Sequence, residues 1–280
     1  MTTFRDLSQK FMAWNETHRA SGSGVYYKNY ITHYLAHLGD KADMPAEEMR
    51  PYHIGEWCDA HPAWSDNYRR GAVVAVNRIF NWGCDEGYIN TNPVKKANKP
   101  PATRRKAYYK PDDFDELLRH INHSDPFYDF VLFVWATGCR PQEARAIEHR
   151  HIDIEKRRIL FPKEEAKGKR HIRRILLNND AMEIIQRNMA THPEWHVFRN
   201  VRGEPWTKYA ICERFYRLQK KTGKKLTSYC LRHGFATRKL KEKKGHIQIA
   251  TCMGHVDGSM LARIYSHVDE DEDHLREVLD

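Results

Sequence analysis

The chain has 280 residues, with 47 lysines and arginines against 37 aspartates and glutamates, and a formal net charge of +10. Its 40% hydrophobic content, with 11 Phe, 7 Trp and 14 Tyr, is enough for packed cores and excludes chain-wide disorder. No stretch approaches the roughly 18 uninterrupted apolar residues of a spanning helix, which excludes a helical membrane protein. Met1 to Lys10 carries Asp6 and lacks an apolar segment, so it does not read as a signal peptide, and an intracellular location is expected. The six cysteines are scattered without a C-x-x-C pair, which argues against a disulfide scaffold.

In chain order, Phe4, Leu7, Phe11, Met12 and Trp14 include helical spacings, and Tyr27, Tyr30, Ile31, Tyr34, Leu35 and Leu38 repeat that period. The Ser-Gly-Ser-Gly run at 21–24 is expected to separate the two helices. A longer helix is predicted from about Ser65 to Asp85, with Ser65 as N-cap, Gly87 as stop, and an apolar side of Val73, Val76, Ile79, Phe80 and Trp82. Residues 1–92 therefore read as a small helical bundle. Residues 93–106 carry prolines, strong basic charge and no helical period, and are expected to be an interdomain linker.

A second domain, 107–268, opens with helix-start chemistry at Lys110-Pro111-Asp112-Asp113. A strongly apolar helix is predicted over 127–137, interrupted by Gly138 and restarted by Arg140-Pro141 through Ile147. Two short β-like runs, 157–161 and 172–177, suggest a hairpin. Helices are predicted at 179–190, 207–221, 229–241, 246–253 and 258–266. Residues 269–280 form an acidic tail of net charge −6, so the remainder of the chain carries +16. That charge concentrates at 93–110, 156–174 and 199–225, with Tyr108, Tyr109, Trp206, Tyr209 and Tyr216 in or beside these runs, which favours a polyanionic partner and nucleic acid first.

Five groups in the second domain stand out in order: Thr137-Gly138-Cys139-Arg140-Pro141-Gln142-Glu143; Lys167-Gly168-Lys169; Tyr229-Cys230-Leu231-Arg232-His233-Gly234-Phe235-Ala236-Thr237; Met253-Gly254-His255; and Tyr265, ten residues after His255. Their types suit phosphodiester cleavage. A phenol at Tyr265 is a nucleophile, the guanidinium forks of Arg140 and Arg232 match phosphate oxygens, a lysine in the hairpin can protonate a leaving oxygen, and His255 can donate a further hydrogen bond. In order and spacing these groups resemble the catalytic set of the tyrosine recombinases, the phage-integrase family.

The resemblance implies a mainly α, two-domain clamp: an N-terminal helical core-binding (SAM-like) bundle and a mixed α/β DNA breaking-rejoining catalytic domain, mostly helical with a small antiparallel β-sheet. It implies site-specific cleavage and rejoining of duplex DNA through a 3′-phosphotyrosyl intermediate by Arg140, Lys167, Tyr229, Arg232, His255 and Tyr265, with Glu143 and His233 supporting. No cofactor or metal is implied. Lys169 is the second candidate for the hairpin lysine. Tyr229 departs from the family, which usually has histidine there, and tyrosine cannot act as an imidazole base near neutral pH. Lys95, Lys96, Lys99, Arg104, Arg105, Lys106, Lys169, Arg170 and Lys208 are the expected DNA-contacting cations, and 68–81 and 208–220 the candidate groove-reading helices.

Implied partners are duplex DNA, further copies of the chain in a tetrameric synaptic complex, and accessory DNA-bending proteins, in a cytoplasmic, nucleoid-associated setting without a membrane. The tail's Val268, Leu275, Val278 and Leu279 could dock on a neighbouring protomer or remain a frayed end. Two other functional readings stay open: a DNA-binding protein that kept the fold without cleavage, and relaxation of DNA in the manner of a type IB topoisomerase. The paired C-x-x-H steps, Cys230–His233 and Cys252–His255, form a weaker zinc pattern.

Overall fold

A computed structural model of the chain describes residues 1–19, 21–103, 108–166, 168–169, 171–242 and 244–255. The chain divides into two compact units, Met1–Arg105 and Lys106–Asp280. Among the described residues no helix is long and apolar enough to cross a membrane.

The first unit contains α1 (Phe4–His18), α2 (Ser21–Leu38), α3 (Pro51–Asp59) and α4 (Asp66–Asp85), with two 3-10 turns between α2 and α3. Local chemistry sets their ends. Thr3 Oγ1 accepts from Asp6 N at 3.1 Å while Asp6 Oδ2 accepts from Thr3 N at 3.2 Å, a reciprocal cap on α1. Ser65 Oγ accepts from Tyr68 N at 3.3 Å and starts α4 at the expected place. The apolar faces meet in one core: Phe4, Leu7 and Phe11 of α1, Tyr34 of α2, Trp57 of α3, and Val76, Ile79 and Phe80 of α4.

Two expectations for this region are corrected, and one helix, α3, was not foreseen. Residues 21–24 do not separate helices but form the first turn of α2, where small residues fit a close approach: a side chain at Gly24 would meet Asn15 Nδ2 at 3.3 Å. Helix α3 is nine residues long with polar residues on every turn, too short a pattern to announce itself, and it is held by burying Ile54 and Trp57. Finally, the described part of the expected linker is not free chain. Val94 and Ala97 are buried in the first core, Arg70 Nη1 donates to Pro100 O at 2.8 Å, and Asn67 bonds both polar groups of the Thr103 backbone. Small side chains three apart point inward while Lys95, Lys96 and Lys99 stay exposed, so a segment with no large apolar residue still packs.

The second unit is built around α6 (Pro126–Thr137), whose Phe127, Phe130, Phe133 and Val134 are fully buried. A helix apolar on most sides belongs in the middle of a core. Around it lie α5 (Pro111–Arg119), α7 (Pro141–Ala144), α8 (Asn179–Thr191), α9 (Lys208–Thr222), α10 (Ser228–Lys241) and α11 (His246–Met253). An antiparallel sheet of order β1-β2-β3 joins β1 (Ile152–Asp153), β2 (Arg158–Phe161) and β3 (Arg173–Leu176), with Phe161 opposite Arg173 and Arg158 opposite Leu176. The protein is thus mostly helical with a small antiparallel sheet, the expected fold class. Helix α7 stops three residues earlier than expected, and β1, two residues long, escapes any pattern rule. The expected helix 258–266, the acidic tail and residues 104–106 lie outside the described residues.

Candidate active site

Helix α6 ends where Gly138 turns left-handed at φ +63°, and a side chain there would sit 2.3 Å from Phe235 Cδ1. Only glycine reverses the chain so tightly against α10. Two residues on, Arg140 is the N-cap of α7, with Pro141 opening the helix. Glu143 reaches back: Oε2 accepts from Arg140 N at 3.0 Å and Oε1 from Arg140 Nη1 at 2.6 Å. A second arginine, Arg173, donates from Nε to the same carboxylate at 3.2 Å. Burial alone would raise Glu143, but Arg173 and Arg140 hold it below the usual carboxylate range, so it is ionised at neutral pH.

Arg232 lies in the middle of α10 with 1% of its surface exposed. Its Nη1 donates to Gly138 O at 2.7 Å, and its Nη2 to Met253 O and to His255 Nε2, each at 2.8 Å. One side chain therefore ties the α6 end to the turn after α11. That turn contains Gly254 at φ +70°, where a side chain would lie 2.7 Å from Arg173 Cζ, and Gly254 O accepts from Arg140 Nη2 at 3.1 Å. Arg140, Glu143, Arg173, Arg232 and His255 thus form one cluster drawn from four parts of the chain.

The electrostatics are lopsided: three guanidiniums face one carboxylate. Burial, followed by the neighbouring Arg140, pushes Arg232 down to about 10, which still leaves it charged at neutral pH. Burial, followed by Arg232, Arg140, Arg173 and His233, pushes His255 down to about 4. His255 is therefore neutral near pH 7. With Nε2 accepting from Arg232, the ring proton is assigned to Nδ1. Arg140 Nε, Arg173 Nη2 and His255 Nδ1 are all buried without a hydrogen-bond partner. Excess positive charge with spare donors is suited to an anion carrying several oxygens, such as a phosphate.

Two grooves open beside the cluster. One, of about 210 Å³, is lined by Arg140, Gln142, Arg145, Lys208, Cys212 and Tyr229. The other, of about 300 Å³, is lined by Arg140, Glu143, Arg145, Glu165 and Arg173 among others. Tyr229 is 44% exposed on α10, with its ring 5.5 Å from that of His233. Lys208 is exposed at the mouth of the first groove; Lys169, in the β2–β3 connection at φ +52°, is exposed too. Lys167, Arg170, Tyr265, Arg104, Arg105 and Lys106 lie outside the described residues. Cys230 Sγ turns to Thr227 N at 3.4 Å and His255 Nε2 to Arg232, and among the described residues no three metal-ligating side chains gather.

Sequence reasoning passed over Arg173 and Arg145. Strand alternation carried a signal for the first: β3 turns Arg173 and Ile175 inward and Arg174 and Leu176 outward. A charged residue at an inward strand position marks a partner elsewhere. Arg145 follows α7 directly and lines both grooves, with its Nε buried and unpartnered.

Comparison with known proteins places this geometry in a wider set. A family model described as the phage integrase family matches residues 108–272. The chain is 24% identical to the putative defective protein IntQ of Escherichia coli (strain K12), over 94% of this chain and 79% of that one. In structure it is similar to the Tn1549 transposon integrase solved with transposon right end DNA, at TM-score 0.77 and 17% identity over 100% of both chains. It is equally similar to lambda integrase, solved as a dimer bound to a COC′ core site, at TM-score 0.79 and 15% identity over 94% of this chain and 95% of that one. At such identities the structural likeness shows a shared fold.

Proposed function

The chain belongs to the phage integrase family, the tyrosine recombinases, and on that premise we propose that it cuts and rejoins duplex DNA at specific sites through a covalent tyrosyl intermediate. The observation that carries the reading is the cluster of Arg140, Arg173, Arg232 and His255, with its excess charge and its three unpartnered buried donors.

In this reaction the Tyr265 phenolic oxygen attacks the scissile phosphorus, the bond to the 5′-oxygen breaks, and that oxygen takes a proton from Lys167, or from Lys169 as the second candidate. A phenol titrates near 10 in water, so the cationic surround favours its ionised form. Arg140 and Arg232 brace the non-bridging oxygens of the pentavalent transition state, and His255 offers Nδ1–H to the same group. Removing one such donor typically costs about 3–4 kcal/mol of transition-state stabilisation. The guanidiniums supply the charge compensation that a divalent cation supplies in other phosphoryl-transfer sites. The 3′-phosphotyrosyl link keeps the bond energy, so a 5′-hydroxyl of another strand can attack it, expel Tyr265 and rejoin the backbone without ATP.

Lys95, Lys96, Lys99, Lys169 and Lys208 are exposed cations suited to the flanking phosphates. Contact of both units with duplex DNA, assembly of four protomers on two duplexes, accessory DNA-bending proteins and a cytoplasmic, DNA-associated setting belong to the same reading. The lambda relative has been solved as a tetramer bound to a Holliday junction, an assembly of that kind.

A second reading is a DNA-binding protein without cleavage, favoured by Tyr229 at the position where the family usually has histidine. One experiment separates the two. Bound sequences are first selected from a random pool, and a nicked duplex carrying that site is then used to trap the covalent adduct. An adduct that disappears in Tyr265→Phe supports cleavage; binding without any adduct supports the second reading.

A further inference from the structure

Arg173 is the most unusual residue in the cluster. It occupies an inward position of β3, where a guanidinium without partners would lose its hydration uncompensated. Its side chain is 8% exposed and spreads over three elements. Nε donates to both oxygens of Glu143 at 3.2 Å, and Nη1 donates to Cys252 O at 3.0 Å and to Arg174 O. The guanidinium also packs on Gly254, leaving no room for a side chain there.

Glu143, Cys252 and Gly254 are each one step from a group that the proposed reaction turns toward phosphate. Glu143 orients Arg140 through Nη1 and the backbone N–H. Cys252 and Gly254 form the turn whose next residue is His255, and Gly254 O is itself a partner of Arg140 Nη2. Arg232 ties α10 to this turn from one side, and Arg173 ties β3 to it from the other.

We propose that Arg173 is a positioning residue of the site: it orients Arg140 through Glu143 and fixes the Cys252–Gly254 turn that presents His255. A planar fork is required. A lysine at 173 carries the same charge but, as a single tetrahedral donor on a flexible stem, it does not hold a carboxylate and a carbonyl in a fixed relation. The inference rests on the cleavage reading for its kinetic consequence, but its structural content, the state of His255, is readable without cleavage.

The test compares wild type, Arg173→Lys, Arg173→Met and Tyr265→Phe in the full chain. Measured are urea unfolding, affinity for the selected duplex, the single-turnover rate of adduct formation, and the pH titration of the His255 imidazole by NMR. Among the described residues, the charged and titratable groups that act on that ring are Arg232, Arg140, Arg173 and His233. Arg173→Lys is expected to fold and to bind DNA nearly as wild type does, while forming adduct about 10²-fold more slowly, the loss that a small misplacement of reacting groups produces. In Arg173→Met one cation facing the imidazole is gone, so the His255 midpoint rises. A folded Arg173→Lys that cleaves at the wild-type rate overturns the proposal. So does a rate loss matched by the unfolded fraction with the His255 titration unmoved. If Arg173→Met does not fold, the Arg173→Lys rate decides. If wild type forms no Tyr265-dependent adduct, the cleavage reading falls, and the His255 titration in Arg173→Met still decides the role of Arg173.

Discussion

Replacing Gly138 by alanine tests the link between fold and site directly. Gly138 holds φ +63°, and its carbonyl accepts from Arg232 Nη1 at 2.7 Å. An added Cβ would lie 2.3, 2.6 and 2.8 Å from three ring carbons of Phe235, which is itself buried. Two terms add: about 1–2 kcal/mol for a side chain in the left-handed region, and about 1–3 kcal/mol for forcing atoms into packed surroundings. Gly138→Ala is therefore expected to lose about 2–5 kcal/mol. Gly223 is the matched control. It ends α9 at φ +68° with nothing within 4 Å of the added carbon, so Gly223→Ala should lose only the conformational part, about 1–2 kcal/mol. Urea unfolding of the full chain followed by far-ultraviolet circular dichroism gives both values. Trimming the ring with Phe235→Leu in the Gly138→Ala background should recover part of the loss. Equal losses at the two glycines, agreeing to about 0.5 kcal/mol, would refute the steric reasoning.

Four further outcomes are expected. Tyr229→Phe should lower adduct formation far less than Tyr265→Phe, measured on the same nicked duplex; equal and complete loss in both would show that Tyr229 is indispensable. Acid should weaken the cluster in two stages. His255 titrates near 6.5 when unfolded and is held near 4 when folded, so the unfolded chain takes up its proton first and stability falls as pH drops from about 6.5 to 4. Glu143, held below its ordinary 4.5, adds a further loss below that value as its links to Arg140 and Arg173 break; stability measured across this range that stays flat contradicts both assignments. Asp129→Ala strips Asn188 Nδ2 of its 2.7 Å carboxylate partner and should cost about 1–3 kcal/mol, whereas Arg187→Ala, removing the 55% exposed end of the same group, should cost about 0–1 kcal/mol in urea unfolding. Neutralising Lys95, Lys96 and Lys99 together should flatten the dependence of DNA affinity on salt by about 0.9 in log–log slope for each phosphate that these lysines neutralise in the wild type, with fluorescence anisotropy as the readout.

Much of the fold could be read without coordinates because its signals are local. Ser65 and Gly87 bracket α4, Asp112 and Asp113 follow a proline at the start of α5, and Gly138 closes α6; each acts through neighbours within a turn. The features that were not legible have in common that they depend on distant partners. Val94 and Ala97 look like spacer residues until α4 offers a surface and Asn67 and Arg70 offer partners for the backbone. The glycines at 22 and 24 read as a break until α2 is seen to run through both, with Gly24 close against Asn15 of α1.

The candidate site divides along the same line. By itself the sequence determined the identity and order of the motif residues, the excess of positive charge, and the capping chemistry that sets Arg140 at the start of a helix with Glu143 three residues on. Those depend on residue type and spacing, which the chain carries whatever it folds into. The tertiary structure alone decided that Arg173 joins Arg140 and Arg232, that one arginine bridges Gly138 and His255 across 94 and 23 positions, and that His255 is neutral. A charge at an inward strand position is a defect in the sequence and becomes a partner only when the strand register, the α7 start and the α11 turn converge on it. The electrostatic state of a histidine is set by how many cations surround it and how little water reaches it, and neither is a property of the linear chain.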